Sequence, residues 1–194
     1  KDAFYQNQSH WIKKPMIHLL PHWTHPGFEG IPISVWVYTN CEEAELFLNG
    51  KSLGKQRIEP WGHAEWKVPY EPGKLEAVGF LGGERKVSDL RETTGPAAAL
   101  KLLLENAPVS ANGEDIALFT CLAIDEQGRE VPNASPFVHF DCVKGGRILG
   151  TGSANTDHVP VPAPERRMFA GRISIALKPE LPAEGTKEIE TVLI

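Results

Sequence analysis

The fold class can be read from residues 33–54, ISVWVYTNCEEAELFLNGKSLG. Aliphatic and other side chains alternate at its start with the period of two that is typical of a β-strand. The aliphatic face carries Ile33, Val35 and Val37, and the opposite face carries Ser34, Trp36 and Tyr38. A second alternating run ends at Asn49-Gly50, the dipeptide that favours a type I′ hairpin turn. That turn would place Leu46 opposite Leu53 on one face, so the stretch predicts an antiparallel β unit whose aliphatic face lies in a core.

The rest of the chain repeats this rhythm of short strands and turns. Turn residues recur at Pro72-Gly73, Gly82-Gly83, Asn112-Gly113 and 125–128. Between and beyond them the predicted strands are 75–81, 84–92, 99–104, 116–124, 137–143, 147–150, 169–177 and 189–194. Trp66 alternates with charged neighbours and is expected in the core, whereas Trp61 is expected in a turn. No helix alternates with these strands, so the pattern predicts two β-sandwiches in series.

One stretch has helical character, residues 1–11, KDAFYQNQSHW. Asp2 can cap its start, and Phe4, Gln8 and Trp11 would share one face at helical spacing. A second change of pattern falls at residues 93–96, where Thr-Thr-Gly-Pro separates two complete sets of strands. We expect the boundary between two domains there, each with its own core.

Composition limits the classes of function. The chain has 194 residues and a net charge of −5, with acidic and basic residues interspersed. This argues against a nucleic-acid surface, which needs a basic stripe, and against an anionic membrane partner. No apolar run is long enough to cross a bilayer. Cys41, Cys121 and Cys142 are an odd number without metal-like spacing, so we expect small buried residues with free thiols.

Two groups of residues could be interpreted as metal sites. His18, His22 and His25 could form a zinc site, but a strand histidine and two loop histidines are the preferred interpretation. Ser153, Asn155 and Asp157 alternate like calcium ligands within the irregular segment 151–167, yet they lack a second acid. We therefore expect no metal and no cofactor. Such a long irregular segment is often functional or packed against a neighbour.

Aromatic residues supply the candidate contact sites. The candidates for stacking on a sugar ring are Trp23, His25, Trp61 and His63, and those for a protein interface are Trp11, Phe28, Trp36 and Tyr38. We expect Trp36 and Tyr38 to pack on residues 1–11, on a missing barrel or on a second copy of the chain. Acidic residues give no catalytic pair, because they lie in turns or beside strands on outer faces. Those in turns are Asp115, Asp125, Glu126 and Glu184. Residues 50–54, GKSLG, match G-x-S-x-G only by spacing, because they belong to the predicted hairpin and not to a strand-to-helix elbow, so no nucleophilic triad is indicated.

Several motifs resemble the C-terminal region of family 2 glycoside hydrolases of the β-galactosidase type. In the first half these are FYQNQSHW, KPMIHLLPHW and VWVYTNCEEAELFLNGKSLGK. In the second half they are GEDIALFTCLAIDEQGREVPNA, RILGTGS and RMFAGR. The resemblance covers nearly the whole chain in the right order. It implies an all-β chain: residues 1–15 as the last helix of a catalytic barrel, 16–94 as a first immunoglobulin-like sandwich and 95–194 as a second.

The resemblance also implies where catalysis takes place. Glycosidases of this kind use two carboxylates, which in this family lie on strands of the barrel. The chain starts with Lys1 and shows no signal peptide, so we expect a piece of a longer polypeptide that includes this barrel. The expected role is accessory: supporting the barrel or the rim of the active site, with an oligosaccharide as a further possible partner. The alternative is an independent carbohydrate-binding or adhesion module. The bacterial periplasm or cell surface is preferred to the cytoplasm as a compartment.

Overall fold

A computed structural model describes residues 2–154, 157–181 and 192–193. Within these residues, regular structure consists of one short α-helix and antiparallel β-strands, which confirms the predicted all-β class. The chain divides into two compact units, Lys1–Thr93 and Thr94–Ile194. No helix in the described part is long and apolar enough to cross a membrane.

The first unit is a two-layer sandwich that follows helix α1, Asp2–Trp11. Its strands are β1 Ile17–Leu20, β2 Pro32–Thr39, β3 Glu43–Leu48, β4 Lys51–Arg57, β5 Ala64–Pro69, β6 Lys74–Leu81 and β7 Glu84–Glu92. One sheet has the order β1-β2-β5 and the other has the order β4-β3-β6-β7. Both central turn residues, Asn49 and Gly50, have positive φ, as a type I′ hairpin requires.

The core of the first unit lies between its two sheets. Buried side chains from both sheets meet there: Leu19, Val35, Val37, Ala64, Trp66 and Val68 on one side, and Ala44, Leu46, Leu48, Leu75 and Ala77 on the other. The predicted inward face of β2 and the inward position of Trp66 are thus confirmed. The predicted pairing of Leu46 with Leu53 is replaced by a register shift between Glu45 and Phe47, although Leu53 still packs on the core.

Helix α1 covers the outward face of β1 and β2. The Tyr5 ring stacks on His18 with centroids 3.7 Å apart, and His18 Nε2 lies 3.0 Å from Asp2 Oδ1. Ser9 is the buried residue of the helix. After the helix, the Asn40 amide donates to the carbonyls of Ile12 and Lys14 and accepts from the Met16 amide. These bonds fix the segment after α1 to the end of β2.

The described residues of the second unit form a four-stranded sheet and two strand pairs. Its strands are β8 Ala99–Leu104, β9 Ala117–Ile124, β10 Phe137–His139, β11 Cys142–Lys144, β12 Gly146–Gly152, β13 Glu165–Arg167, β14 Arg172–Pro179 and β15 Val192–Leu193. The sheet has the order β12-β14-β9-β8, and the pairs are β10-β13 and β11-β15. Its core contains Cys121, Ala123, Val138, Phe140, Met168, Ile173 and Ile175.

Several predicted strands of this unit differ from the structure. Residues 137–143 form two strands in different sheets, because the chain leaves the β10 ladder after His139 and pairs again, with β15, from Cys142. The strand predicted at 169–177 starts at Arg172, because Ala170 and Gly171 form a turn with positive φ. Of the strand predicted at 189–194, only β15 is described, and Glu184 lies outside the described residues. The three cysteines are free, with Cys41 and Cys121 buried and Cys142 partly exposed.

Candidate functional site

Trp23 is completely buried in the first unit. Its exposed fraction is 0%, its indole Nε1 donates to the Glu71 carbonyl at 2.9 Å, and its ring meets the edge of Tyr70 at 5.2 Å. The Trp23 carbonyl accepts a hydrogen bond from Thr93 Oγ1 at 2.6 Å. A ring without an exposed face cannot stack on a sugar, so this corrects the expectation for Trp23.

His25 belongs to the same aromatic cluster. Its ring stacks on His22 at 4.4 Å and meets Tyr70 at 5.4 Å, and its Nε2 lies 2.8 Å from the His22 carbonyl oxygen. Burial, together with the neighbouring His25, lowers the pKa of His22 below its ordinary value. His25 is therefore engaged inside its own loop, which leaves Phe28 as the outermost aromatic ring of this region.

The described residues contain no group of three His, Cys, Asp or Glu side chains arranged to hold a metal. His18 lies on β1 beside Asp2, whereas His22 and His25 stack on each other in the loop that follows. Of the candidate calcium ligands, Asn155 lies outside the described residues.

The outward face of β2 carries a second aromatic group. Trp36 is 37% exposed, and its ring packs against His63 with centroids 4.7 Å apart. Tyr38 meets the same histidine at 5.8 Å but is buried. Helix α1 packs on β2, and burial together with the Asp2 carboxylate of that helix raises the pKa of the Tyr38 phenol. Tyr38 is therefore covered within its own unit by the segment 1–11, which is one of the three partners predicted for it, and not by an external interface.

Trp61 is exposed at the tip of the loop between β4 and β5. The Gly62 amide donates to the Glu59 carbonyl at 2.9 Å, which closes a four-residue turn with Pro60 at its second position. Trp61 follows at the third position with φ of 65°, which is the geometry of a type II turn. Its side chain is 76% exposed, and its ring leans on His10 of α1 at 4.9 Å.

A cavity of about 370 Å³ opens beside Trp61. It is lined by Ser9, His10, Thr39, Asn40, Cys41 and residues 58–62. The side chains of Thr39 and Asn40 already hydrogen-bond to the backbone of Met16, and Asn40 also donates to the Ile12 carbonyl. Neither the Glu59 carboxylate nor the His10 imidazole has a hydrogen-bonding partner among the described residues, so both can bind a ligand.

Within the described part of the irregular segment 151–167, one hydrogen-bonding network is centred on Arg166. Arg166 is buried, and its guanidinium pairs with the Asp157 carboxylate and donates to Thr151 Oγ1 and to the carbonyls of Val159 and Pro160. The Arg166 hydrogen bond holds the pKa of the Asp157 carboxyl well below its ordinary range. A carboxylate already paired with an arginine is a poor calcium ligand, and this network serves to hold the segment in place.

Two carboxyl groups outside this network, those of Asp115 and Asp125, also have a lowered pKa. Burial opposes ionisation of Asp125, but hydrogen bonds from Arg129 and Gly95 outweigh it and lower its pKa to about 2. A hydrogen bond from the Ser110 amide lowers the pKa of Asp115. A glycosidase needs one carboxyl with a raised pKa as general acid, and these groups are shifted the opposite way.

Comparison with known proteins defines the family. Residues 30–87 match the model of a domain of unknown function (DUF4982), and residues 100–191 match glycoside hydrolase family 2 C-terminal domain 5. A β-galactosidase of Bacteroides ovatus is 35% identical over 158 residues, which are 80% of this chain and 18% of that protein. The crystal structure of a β-glycosidase from Bacteroides vulgatus covers 100% of this chain with 26% of its own, at a TM-score of 0.89 and 35% identity. The chain belongs to the C-terminal region of glycoside hydrolase family 2.

This family 2 region is similar to enzymes with different specificities. A β-glucuronidase of Formosa agariphila is 34% identical over 144 residues, 72% of this chain and 14% of that protein. The relatives therefore include both galactosidases and glucuronidases, and their names do not separate these specificities for the region. It spans between 14% and 22% of the length of the first four curated relatives.

The sequence interpretation of this family 2 region missed three of the residues around Trp61. Asn40, Glu59 and His10 come from different elements, so no spacing along the chain connects them. The sequence does contain one local indication, at Pro60-Trp61-Gly62. A type II turn with Pro at its second position prefers Gly at its third, so a Trp at that position is unusual.

Proposed function

We propose that this family 2 region is a non-catalytic part of a glycosidase and that it supports the catalytic part of the same polypeptide. Its share of 14% to 22% of the curated relatives supports this, because most of such an enzyme lies outside the region. For Asp115, Asp125 and Asp157 alone, the lowered pKa keeps the carboxyl group ionised and disfavours it as a general acid.

One observation carries the proposal, the outward face of α1. Phe4 and Trp11 are 62% and 78% exposed, and their spacing of seven residues places them on one side of the helix. The opposite side is already fixed by Tyr5 and Ser9. A short helix with large aromatic rings on its free side gains stability when a second apolar surface covers them. We assign that surface to the catalytic part.

The test uses the polypeptide that contains both this region and its catalytic part. Replacing Phe4 and Trp11 together by Ala removes the aromatic rings but preserves helix propensity. We expect the variant to melt at a lower temperature and to lose kcat/KM on aryl glycosides, because buried tryptophans at interfaces commonly contribute about 2 kcal/mol or more.

A matched control is Phe169→Ala, which removes an exposed aromatic ring from the second unit. It should leave both the melting temperature and kcat/KM unchanged. The double variant should also leave the stability of the isolated region unchanged, because both rings are exposed there. Unchanged activity and melting of the complete polypeptide with the double variant would contradict docking through α1.

A second candidate function is a carbohydrate-binding or adhesion module that needs no enzyme. The exposed ring of Trp61 beside unpaired polar groups favours sugar contact. Retention of the purified region on an insoluble polysaccharide, together with no effect of the double α1 variant on any enzyme, would favour this alternative.

A further inference from the structure

We infer that the cavity between the last turn of α1 and the turn 59–62 is a binding subsite for one neutral pyranose ring. The Trp61 ring is its platform, and Glu59 and His10 are its hydrogen-bonding groups. This subsite does not depend on docking through α1, because Phe4 and Trp11 do not line the cavity.

The backbone of Trp61 is the first argument. Its φ of 65° lies in the left-handed region, which side chains with a Cβ adopt at a cost and which glycine adopts freely. In a type II turn this position is normally Gly or Asn. A large aromatic residue in such a strained position, with most of its ring in solvent, contributes little to the core. Strain of this kind is characteristic of residues held for binding.

The chemistry of the lining is the second argument. A pyranose has an apolar C–H face and a rim of hydroxyl groups, so it needs an aromatic surface beside a few hydrogen-bonding groups. Trp61 supplies the surface, and its ring is oriented by contact with His10 at 4.9 Å. The Glu59 carboxylate accepts hydrogen bonds from hydroxyls, and the His10 imidazole can donate or accept. The volume of about 370 Å³ is at the small end for ligand pockets, which suits a single ring.

Charge decides which sugars fit. Glu59 is the acidic residue of the lining, and the other lining side chains apart from His10 are uncharged. A carboxylate at the cavity repels the carboxylate of a uronic acid, whereas it accepts a hydrogen bond from the primary hydroxyl of a neutral hexose. The subsite is therefore specific for neutral hexopyranosides over glucuronides.

The experiment is an NMR titration of the purified chain with methyl β-D-glucopyranoside and with its glucuronide counterpart, which differ only at carbon 6. We expect the neutral glycoside to shift the Trp61 indole N–H and the backbone amides of Glu59, Trp61 and Gly62, with weaker binding of the glucuronide. Trp61→Ala should weaken binding of the neutral glycoside about tenfold or more. Phe169→Ala, a matched exposed aromatic in the second unit, should leave binding unchanged.

Two further variants separate binding from folding and from charge. Trp61→Gly should also lose binding, yet raise the midpoint of thermal unfolding because glycine relieves the positive φ. Glu59→Gln should reduce the difference in affinity between the neutral glycoside and the glucuronide. Absence of shifts around Trp61 with the neutral glycoside, or binding that survives Trp61→Gly, would overturn the subsite. Stronger binding of the glucuronide would overturn its assigned specificity.

Discussion

The first unit contains the pattern Trp-x-His twice, and the two copies have opposite fates. Trp23-Thr24-His25 lies in the loop after β1, and Trp61-Gly62-His63 lies in the loop before β5. Trp23 is completely buried, whereas Trp61 is 76% exposed. In sequence the two are equivalent candidates for sugar contact, but in the structure only the second presents its ring.

The difference arises from what surrounds each tryptophan. Trp23 is preceded by β1 and followed by a loop that folds back over the core, where Glu71, Tyr70 and Thr93 satisfy its polar groups and pack its ring. Trp61 sits in a tight turn that directs its side chain into solvent. An aromatic motif therefore indicates a binding site only where the local backbone prevents burial of the ring.

The largest expected effect is on the buried member of the pair. Trp23→Ala should lower the free energy of unfolding of the first unit by about 3–5 kcal/mol, because it leaves a large cavity and an unpaired Glu71 carbonyl. Trp61→Ala should change it by no more than about 0.5 kcal/mol. Urea denaturation of both variants measures these changes. Similar losses of unfolding free energy in the two variants would show that the two tryptophans do not differ in their contribution to stability.

A smaller effect is expected at Thr93, which holds the Trp23 loop. Its hydroxyl donates to the Trp23 carbonyl at 2.6 Å and accepts from the Gly73 amide at 3.0 Å. Thr93→Val preserves shape but leaves both groups unpaired, so it should cost about 1–3 kcal/mol. Ser52→Ala is the control, since its hydroxyl bonds at the exposed surface, and it should cost less than about 0.5 kcal/mol. Equal costs in urea denaturation would show that Thr93 does not fix the loop.

The smallest effect is a pH dependence in the buried loop. The pKa of His22 is lowered by burial and by His25, so the unfolded chain binds this proton more readily than the folded one. The stability of the first unit should therefore be highest above the ordinary pKa of 6.5 and decrease as the pH falls through it. His22→Asn, which keeps an acceptor for the Thr24 amide, should flatten this dependence of the melting temperature. If the melting temperature of the variant falls by the same amount at low pH, the pH dependence belongs to another titratable group.

Much of the fold could be predicted from local pattern. The alternation in β2 correctly placed Val35 and Val37 inward, and the Asn49-Gly50 turn has the expected geometry. Such features depend on residues that are neighbours along the chain, so they can be predicted from the sequence. The division of residues 137–143 between two sheets could not be predicted, because their continuous apolar pattern does not show where a strand changes partner.

The candidate site was less predictable because exposure depends on distant contacts. Burial of Trp23 requires Glu71 and Thr93, which lie far along the chain. The pattern of β2 predicts an outward Tyr38 with three possible partners, and only the structure shows that α1 is the one that covers it. The cavity beside Trp61 combines a helix, a strand end and a turn, and only the structure brings its polar groups together.

Turnover of glycosides by the purified chain tests whether this family 2 region is itself a catalyst. The purified chain is incubated with aryl β-galactosides, β-glucuronides and β-mannosides, and release of the aryl group is measured. Hydrolysis requires a carboxyl that donates a proton and a second carboxylate on the other side of the sugar, and we assign both to another part of the polypeptide. We predict a folded chain without turnover on any of the three. Repeated turnover that is abolished by replacing a single carboxylate of this chain would contradict the account.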